Sequence, residues 1–174
     1  SILDDIRRRH PRARTFHLSN GCDTRKYGAR FSTPAAREQL VGNAGDDVFA
    51  VVYAGLHGLA QGLEQLLAAA ERLRDEPRVR IVLVGDGPEK RTLMDAAAAR
   101  GLRNVRFLDP VPAEEVAALL AAADAIAVTL KMDIPGAVPS KIYESMASEK
   151  PLVLVAEGEA ADIVRAADAG FVVS

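Results

Sequence analysis

The chain has 174 residues, of which 49% are hydrophobic and 5% are aromatic, with 22 Lys and Arg residues against 24 Asp and Glu residues. This length and hydrophobic fraction exclude a disordered chain and fit one globular domain with a substantial core. The near-neutral charge balance argues against nucleic acid as the main partner.

The sequence carries a single cysteine, Cys22, and no long apolar segment. One cysteine cannot form an internal disulfide, which fits a reducing compartment. No apolar run reaches the length needed to span a membrane, and the charged N-terminal stretch lacks the apolar centre of a signal peptide. We therefore predict a cytoplasmic protein without a transmembrane segment, and a location at the inner face of the cytoplasmic membrane stays open.

The first 46 residues differ in character from those that follow. Residues 4–9 are charged and helix-like, residues 14–18 are typical of a strand, and one short helix is expected from Pro34. We predict that residues 1–46 are a lead-in and linker from a preceding, absent domain. Residues 47–174 are predicted to be one domain, truncated at its C-terminus, where a covering helix would normally follow the last strand.

From residue 47 onwards, short apolar runs alternate with longer helical patterns. This alternation predicts an α/β fold, a Rossmann-like, doubly wound, six-stranded parallel sheet with helices on both faces. Strands are predicted over residues 48–54, 80–84, 105–108, 125–130, 152–155 and 171–173. Helices are predicted over residues 59–73, 88–100 and 113–123, after Pro139, and over residues 160–167.

Four loops are predicted to meet at the carboxyl edge of this sheet, where doubly wound folds bind ligands. They cover residues 55–62, 85–88, 109–112 and 131–140. The spacing of Gly55, Gly58 and Gly62 differs from the dinucleotide pattern of glycines at positions one, three and six, so a nicotinamide dehydrogenase is not supported. These glycines still fit close backbone approach to a ligand, although each also has an ordinary use in a tight turn or a packing contact.

The junction Val138-Pro139-Ser140-Lys141-Ile142-Tyr143-Glu144 carries the clearest binding chemistry. Proline suits the opening of a helix, so the amides of Ser140 and Lys141 are expected to point toward an anion. Glu144 lies one turn deeper on the same face and could accept hydrogen bonds from ligand hydroxyls. Phosphate followed by sugar hydroxyls is the layout of a nucleotide. The alternative is a capped surface helix on which Glu144 and Lys141 are solvated.

Other kinds of site have little support. The three histidines and one cysteine show no metal-ligand spacing, and there is no Gly-x-Ser-x-Gly nucleophile motif. His57 could donate a hydrogen bond to a phosphate or a sugar, with a solvated loop histidine as the alternative. Asp86 and Asp133 lie in loops at the same edge, where acids commonly serve turns.

The run Pro139-Ser140-Lys141-Ile142-Tyr143-Glu144-Ser145-Met146-Ala147 resembles the signature of bacterial glycosyltransferases of the large family four. Residues 53–63, Tyr-Ala-Gly-Leu-His-Gly-Leu-Ala-Gln-Gly-Leu, are similar to the first strand and glycine loop of their C-terminal domain, and residues 84–88 to the second. Residues 20–23, Asn-Gly-Cys-Asp, are similar to the segment that ends their N-terminal domain. The resemblance implies one half of a GT-B fold, the C-terminal, donor-binding domain, with the acceptor-binding half absent.

This resemblance also implies roles for individual residues. The amides of Ser140 and Lys141 would bind the diphosphate of a nucleotide sugar, Glu144 the ribose, and the loop at residues 108–111 the base through backbone contacts. The implied nucleotide-binding residues are Gly55, Gly58, Asp109, Val111, Ser140, Lys141 and Glu144. The implied neighbours of the donor sugar are His57, Asp133, Gly136, Ala137 and Val138.

The sequence departs from the family pattern at two places. A first glutamate, common near the donor sugar, is replaced by Gly136, and the Arg and Lys of the first glycine loop are replaced by Leu56 and Gln61. Lys141 is therefore expected to carry more of the charge that neutralises the diphosphate. No catalytic residue is assigned.

The Pro-Ser-Lys variant of the signature is similar to that of enzymes that build lipopolysaccharide, O-antigen or capsule from UDP-linked amino sugars. It implies a retaining transferase that moves a sugar from a nucleotide diphosphate sugar, UDP-linked, to a lipid-linked or glycan acceptor, without cofactor or metal. The isolated domain is predicted to be inactive. The alternatives are a GT-B sugar-nucleotide epimerase and a non-catalytic nucleotide-binding or interaction module.

Overall fold

The protein is described from a computed structural model, in which residues 2–16, 18–42, 47–131 and 138–173 are described. Six parallel strands form one sheet in the order β3-β2-β1-β4-β5-β6. They are β1 (Phe49–Ala54), β2 (Val79–Val84), β3 (Val105–Leu108), β4 (Ala125–Thr129), β5 (Leu152–Val155) and β6 (Gly170–Val173). The strand order reverses between β1 and β4, which confirms the doubly wound parallel sheet and places its switch point between these two strands.

Helices connect the strands and precede them. They are α1 (Ile2–Arg9), α2 (Pro34–Val41), α3 (Glu64–Arg72), α4 (Lys90–Ala99), α5 (Ala113–Ala122), α6 (Lys141–Ala147) and α7 (Gly158–Ala166). Short 3-10 helices lie at Thr24–Lys26, Ala29–Phe31 and Leu59–Gln61. None of the described helices is long and apolar enough to cross a membrane.

The core has two parts, one on each face of the sheet. Successive side chains of a strand point to opposite faces, so Val82 and Val84 pack with α2 and α5, whereas Ile81 and Leu83 pack with α3 and α4. The helices therefore cover both faces, as predicted. Phe171 of β6 is exposed, and its register with Val153 and Ala127 places it on the face that α3 and α4 cover elsewhere.

Helix α2 is joined to this core although it precedes residue 47. Its Leu40 is fully buried, and Arg37 donates to the Asp124 carboxylate at 2.7 Å and to the Ala122 carbonyl at 3.0 Å. The same carboxylate accepts from the backbone amide of Ala50 at 2.7 Å, which ties α2 to the start of β1 and the end of α5. The division of the chain at residue 46 stays a prediction, and α2 packs as part of the domain that follows.

Two predicted helices begin later than expected. The helix predicted from residue 59 is broken at Gly62, which has a left-handed φ of 59°, so a 3-10 turn precedes α3. The helix predicted from Pro88 begins at Lys90 instead, because the amide of Glu89 donates to the carbonyl of His57 and holds this turn against the first glycine loop.

The strand predicted over residues 14–18 is wrong for the described residues of that segment, which form no strand. Phe16 and Leu18 are 85% and 93% exposed. Within the described chain no neighbouring strand pairs with this segment, and a single extended segment is not stable without a partner.

Candidate functional site

The carboxyl ends of β1 and β4 are tied together at the switch point of the sheet. The Thr129 hydroxyl donates to the carbonyl of Gln61 at 2.6 Å, and the amide of Lys131 donates to the carbonyl of Ala60 at 2.9 Å. The first glycine loop, residues 55–62, is therefore fixed to the end of β4 as well as to its own strand.

The second glycine loop, residues 85–88, packs directly on the first. A Cβ on Gly85 would lie 2.0 Å from the Gly55 carbonyl oxygen, and a Cβ on Gly87 would lie 2.4 Å from the His57 carbonyl oxygen. The amide of His57 also donates to the Asp86 carbonyl at 2.8 Å. Gly85 and Gly87 thus have a packing role, because no side chain fits between the two loops.

Lys141 brings its ammonium group to the first glycine loop. Its Nζ lies 2.6 Å from the Tyr53 hydroxyl and 4.2 Å from the centroid of the Tyr53 ring. A Cβ on Gly55 would lie 2.1 Å from the same Nζ, so the ammonium lies in the space that a side chain at residue 55 would occupy. The structure therefore brings together Gly55 and Lys141, two of the residues assigned to nucleotide binding, from opposite sides of the switch point.

Burial at this place changes the acid strength of both side chains. It lowers the pKa of Lys141 to about 8, with the negative charge of Glu144 opposing the effect. Burial also raises the pKa of Tyr53, which stays neutral. An anion that binds beside Lys141 would favour its charged form and offset the loss of solvation.

The predicted junction of loop and helix is present, with α6 beginning at Lys141 and Ser140 exposed at the N-cap position. The amides of Ile142 and Tyr143 donate to the carbonyls of Pro139 and Ser140, both at 3.1 Å. These two amides are used within the turn, so the amides assigned to an anion remain those of Ser140 and Lys141.

The lead-in segment reaches Glu144, the residue assigned to the ribose. The Cys22 thiol donates to the Tyr143 carbonyl at 3.2 Å. Burial and then the Glu144 charge raise the pKa of Cys22, and the same two causes, in the same order, raise the pKa of Tyr27. Glu144 thus lies beside two neutral groups, a thiol and a phenol, contributed by the segment that follows Asn20 and Gly21.

The loop after β3 is held by Lys90, the first residue of α4. Its Nζ lies 2.7 Å from a carboxylate oxygen of Asp109 and 3.3 Å from the carbonyl of Leu108. The hydrogen bond and the charge of Lys90 lower the pKa of Asp109, whose side chain is otherwise 94% exposed. Val111 is half-buried against the core, so this loop is anchored at both ends.

His57 has an unexpected environment. The ring is fully buried between Tyr53 and Phe107, and neither ring nitrogen has a hydrogen-bond partner in the described structure. Burial lowers the pKa of His57, and the charge of Lys90 acts in the same direction. The alternative of a solvated histidine is therefore wrong, because the neutral imidazole of His57 is buried although the residue belongs to the first glycine loop. A role near the donor sugar stays a prediction.

The remaining assigned residues are less informative. Gly58 precedes the 3-10 turn of the first loop, and Val138 is half-buried before Pro139. Asp133, Gly136 and Ala137 lie outside the described residues. No group of three or more His, Cys, Asp or Glu side chains in the described part of the chain could hold a metal ion, and the expectation that no metal is needed stays a prediction.

Three contacts were not predicted from the sequence. They are those of Tyr53 with Lys141, of Lys90 with Asp109 and of Tyr27 with Glu144. Tyr53 lies near the end of an apolar strand, two residues before Gly55, and this position could have indicated a hydroxyl at the carboxyl edge of the sheet. Lys90 had a weaker signal, a cation just after a glycine turn. Nothing in the sequence pattern pairs Tyr27 with Glu144.

Comparison with known proteins identifies the family. The sequence model described as Glycosyl transferases group 1 matches residues 36–174. This chain belongs to that family. WcaI from Escherichia coli (strain K12), assigned as a colanic acid biosynthesis glycosyl transferase, is 38% identical over 124 residues, which is 71% of this chain and 30% of WcaI. The chain spans about 30% of the length of the curated relatives it matches.

Solved structures of other proteins share the fold. HepE from Anabaena, crystallised with UDP and glucose, has a TM-score of 0.72 and 27% identity over 90% of this chain and 42% of HepE. The C-terminal domain of LpcC, a glycosyl transferase group 1 protein from Francisella tularensis, has a TM-score of 0.65 and 19% identity, covering 88% of this chain and 80% of the LpcC chain. This group 1 domain is therefore the Rossmann-like C-terminal half of a GT-B fold, as the sequence predicted.

Proposed function

We propose that this group 1 domain binds the nucleotide diphosphate of a UDP-sugar for a retaining glycosyltransferase that acts in cell-surface polysaccharide synthesis. The acceptor, a glycan or a lipid-linked sugar, would be bound by another part of the full-length enzyme. The observation that carries the proposal is the Lys141 ammonium beside Gly55, at the switch point where doubly wound sheets bind ligands.

The charge at this edge suits a diphosphate. Lys141 is a largely buried cation, and its ammonium lies in the space that the missing side chain of Gly55 leaves free. When the bond between sugar and diphosphate breaks, negative charge grows on the leaving phosphate. A cation and amides already in place would stabilise that charge without reorganisation, which is electrostatic catalysis.

The dimensions of the edge also suit a nucleotide. The loop after β3 is two strands away from β1, a separation of about 10 Å across a sheet. A base held by the backbone near Asp109 and Val111 would therefore place its diphosphate near Gly55 and Lys141. Glu144 would then accept hydrogen bonds from the ribose, with Cys22 and Tyr27 beside it as neutral neighbours.

The relatives support the choice of nucleotide. HepE, at 27% identity, was crystallised with UDP and glucose and also with UDP-glucose. WcaI, at 38% identity, is assigned to colanic acid biosynthesis. HepE supports a UDP-linked donor, and WcaI supports a role in the synthesis of a polysaccharide such as colanic acid; together they are the basis for proposing both for this chain.

The ribose assignment can be tested by calorimetric titration with UDP and with its 2′,3′-dideoxy analogue. We expect wild type to bind UDP about tenfold more tightly than the analogue, because two hydrogen bonds to a carboxylate are lost. Glu144→Gln should reduce this difference, whereas Glu159→Gln, on the exposed side of α7, should preserve it. Equal binding of both ligands by wild type would remove the ribose role of Glu144.

A further inference from the structure

We propose that Tyr53 is a positioning residue for diphosphate binding, because its hydroxyl holds the Lys141 ammonium against the first glycine loop. The inference rests on the proposed function, since it concerns how the cation at that edge is placed. Tyr53 belongs to β1, whereas Lys141 opens α6, so the contact crosses the switch point of the sheet.

The hydrogen bonds fix the direction of this contact. The Tyr53 hydroxyl donates its one proton to the carbonyl of Leu56 at 2.7 Å. It can therefore only accept from Lys141, whose Nζ lies 2.6 Å away. Two hydrogen bonds in series, from Lys141 to Tyr53 and from Tyr53 to the carbonyl of Leu56, therefore link the cation to the first glycine loop.

The surroundings leave the ammonium open to a ligand. An ammonium has three N–H groups. Within the described part of the chain Tyr53 is the one hydrogen-bond acceptor of Lys141, which leaves two of its N–H groups without an acceptor among the described residues. Lys141 also lies over the Tyr53 ring, which attracts a cation.

The composition of the first glycine loop explains why Lys141 has to be positioned by another residue. Residues 55–62 contain no Arg or Lys, so the loop has no cation of its own. A lysine side chain on α6 is long and has many rotamers, and ordering it costs entropy. A fully buried tyrosine on a central strand supplies an anchor that is rigid before the ligand arrives.

The surroundings of Lys141 shift its pKa in opposite directions. Burial beside Tyr53 lowers the pKa of Lys141, and the charge of Glu144 on the same helix raises it. His57 in the first loop is neutral at physiological pH, since its own pKa is lowered. A bound diphosphate adds negative charge beside Lys141, so binding above pH 8 should take up a proton from solvent.

The experiment compares UDP with uridine, which lacks the phosphates, by calorimetry on wild type, Tyr53→Phe and Tyr143→Phe. Tyr53→Phe should weaken UDP about five- to tenfold and leave uridine unchanged, because one charge-assisted hydrogen bond that positions the cation is lost. The proton uptake that accompanies UDP binding above pH 8, measured in buffers of different ionisation enthalpy, should also differ between Tyr53→Phe and wild type. Tyr143→Phe, on the same helix as Lys141, should match wild type in every measurement.

Two outcomes would overturn the inference: UDP affinity in Tyr53→Phe equal to that of wild type, or an equal loss for UDP and uridine. If wild type binds neither ligand, the proposed function fails, and the Tyr53 contact is tested without ligand. In that case an NMR titration of the Lys141 side chain should give a lower pKa in Tyr53→Phe than in wild type, because a hydrogen bond to the charged form is lost. An unchanged pKa would then contradict the contact itself.

Discussion

Gly85 and Gly55 lie in such close contact that a Cβ on Gly85 would be 2.0 Å from the Gly55 carbonyl oxygen. The contact joins the loops that follow two neighbouring strands, β2 and β1, and it is strengthened by the hydrogen bond from the Gly55 amide to the Val84 carbonyl at 2.8 Å. The backbone of Val84 and Gly85 therefore supports the first glycine loop.

Gly85→Ala should lower the free energy of unfolding by about 3 kcal/mol, since the clash is with backbone and the φ of 134° disfavours alanine. Gly101→Ala is the matched control, because Gly101 also has a positive φ, 65°, but open space around it. Its cost should be about 1 kcal/mol. Urea denaturation of both variants measures this, and equal costs would contradict the packing role of Gly85.

Arg37→Met should lower the free energy of unfolding by about 2 kcal/mol, because the Asp124 carboxylate and the Ala122 carbonyl lose their shared donor. The exposed pair of Arg165 and Asp162 provides the control, and Arg165→Met should change stability by less than about 0.5 kcal/mol. Thermal unfolding distinguishes the two. A negligible effect of Arg37→Met would mean that α2 contributes little to the domain.

Lys141→Met should make the domain more stable at pH 7 by about 1–3 kcal/mol, because it removes a desolvated ammonium. Tyr53 keeps its bond to Leu56 in this variant. Folding lowers the pKa of Lys141 from 10.5 to about 8, so the unfolded chain holds the extra proton between these values. The cost is therefore complete below pH 8 and decreases as the pH rises from 8 toward 10.5.

Denaturant titrations at pH 7 and pH 10 measure this effect. The difference between Lys141→Met and wild type should shrink at the higher pH, while the exposed control Lys26→Met should show no such trend. A wild type that is more stable than Lys141→Met at pH 7 would show that this lysine stabilises the fold and is not held at a cost for binding.

Lys90→Met should weaken UDP binding about threefold to tenfold, because the loop after β3 loses the two bonds that hold Leu108 and Asp109. The pKa of Asp109 should rise toward its ordinary value in the variant, since the hydrogen bond and the charge of Lys90 keep it low. Calorimetry and an NMR titration of Asp109 check both effects. Arg91→Met, on the exposed side of α4, should leave both unchanged.

The sheet was predictable because local signals agree with the global fold. The apolar run at residues 81–84, Ile-Val-Leu-Val, is buried on both faces of the sheet, and a glycine turn follows it. The helix starts were less accurate, since the turn at Pro88 is set by a bond to His57 in another loop. That bond joins residues whose proximity no local pattern records.

The site was predictable as a set of loops but not as a set of contacts. Parallel strands bring residues 55 and 141 to one edge, which the sequence order alone implies. The pairing of Lys141 with Tyr53 depends on side chains 88 residues apart. The burial of His57 depends on how two loops pack, so neither could be seen in the sequence.

Calorimetric titration of the chain with UDP tests the central claim most directly. Wild type should bind UDP with a measurable affinity in the micromolar to millimolar range, and Lys141→Gln should reduce that affinity at least tenfold at pH 7 because the cation beside Gly55 is lost. Absence of binding by wild type at millimolar UDP, or equal affinities for wild type and Lys141→Gln, would contradict the account.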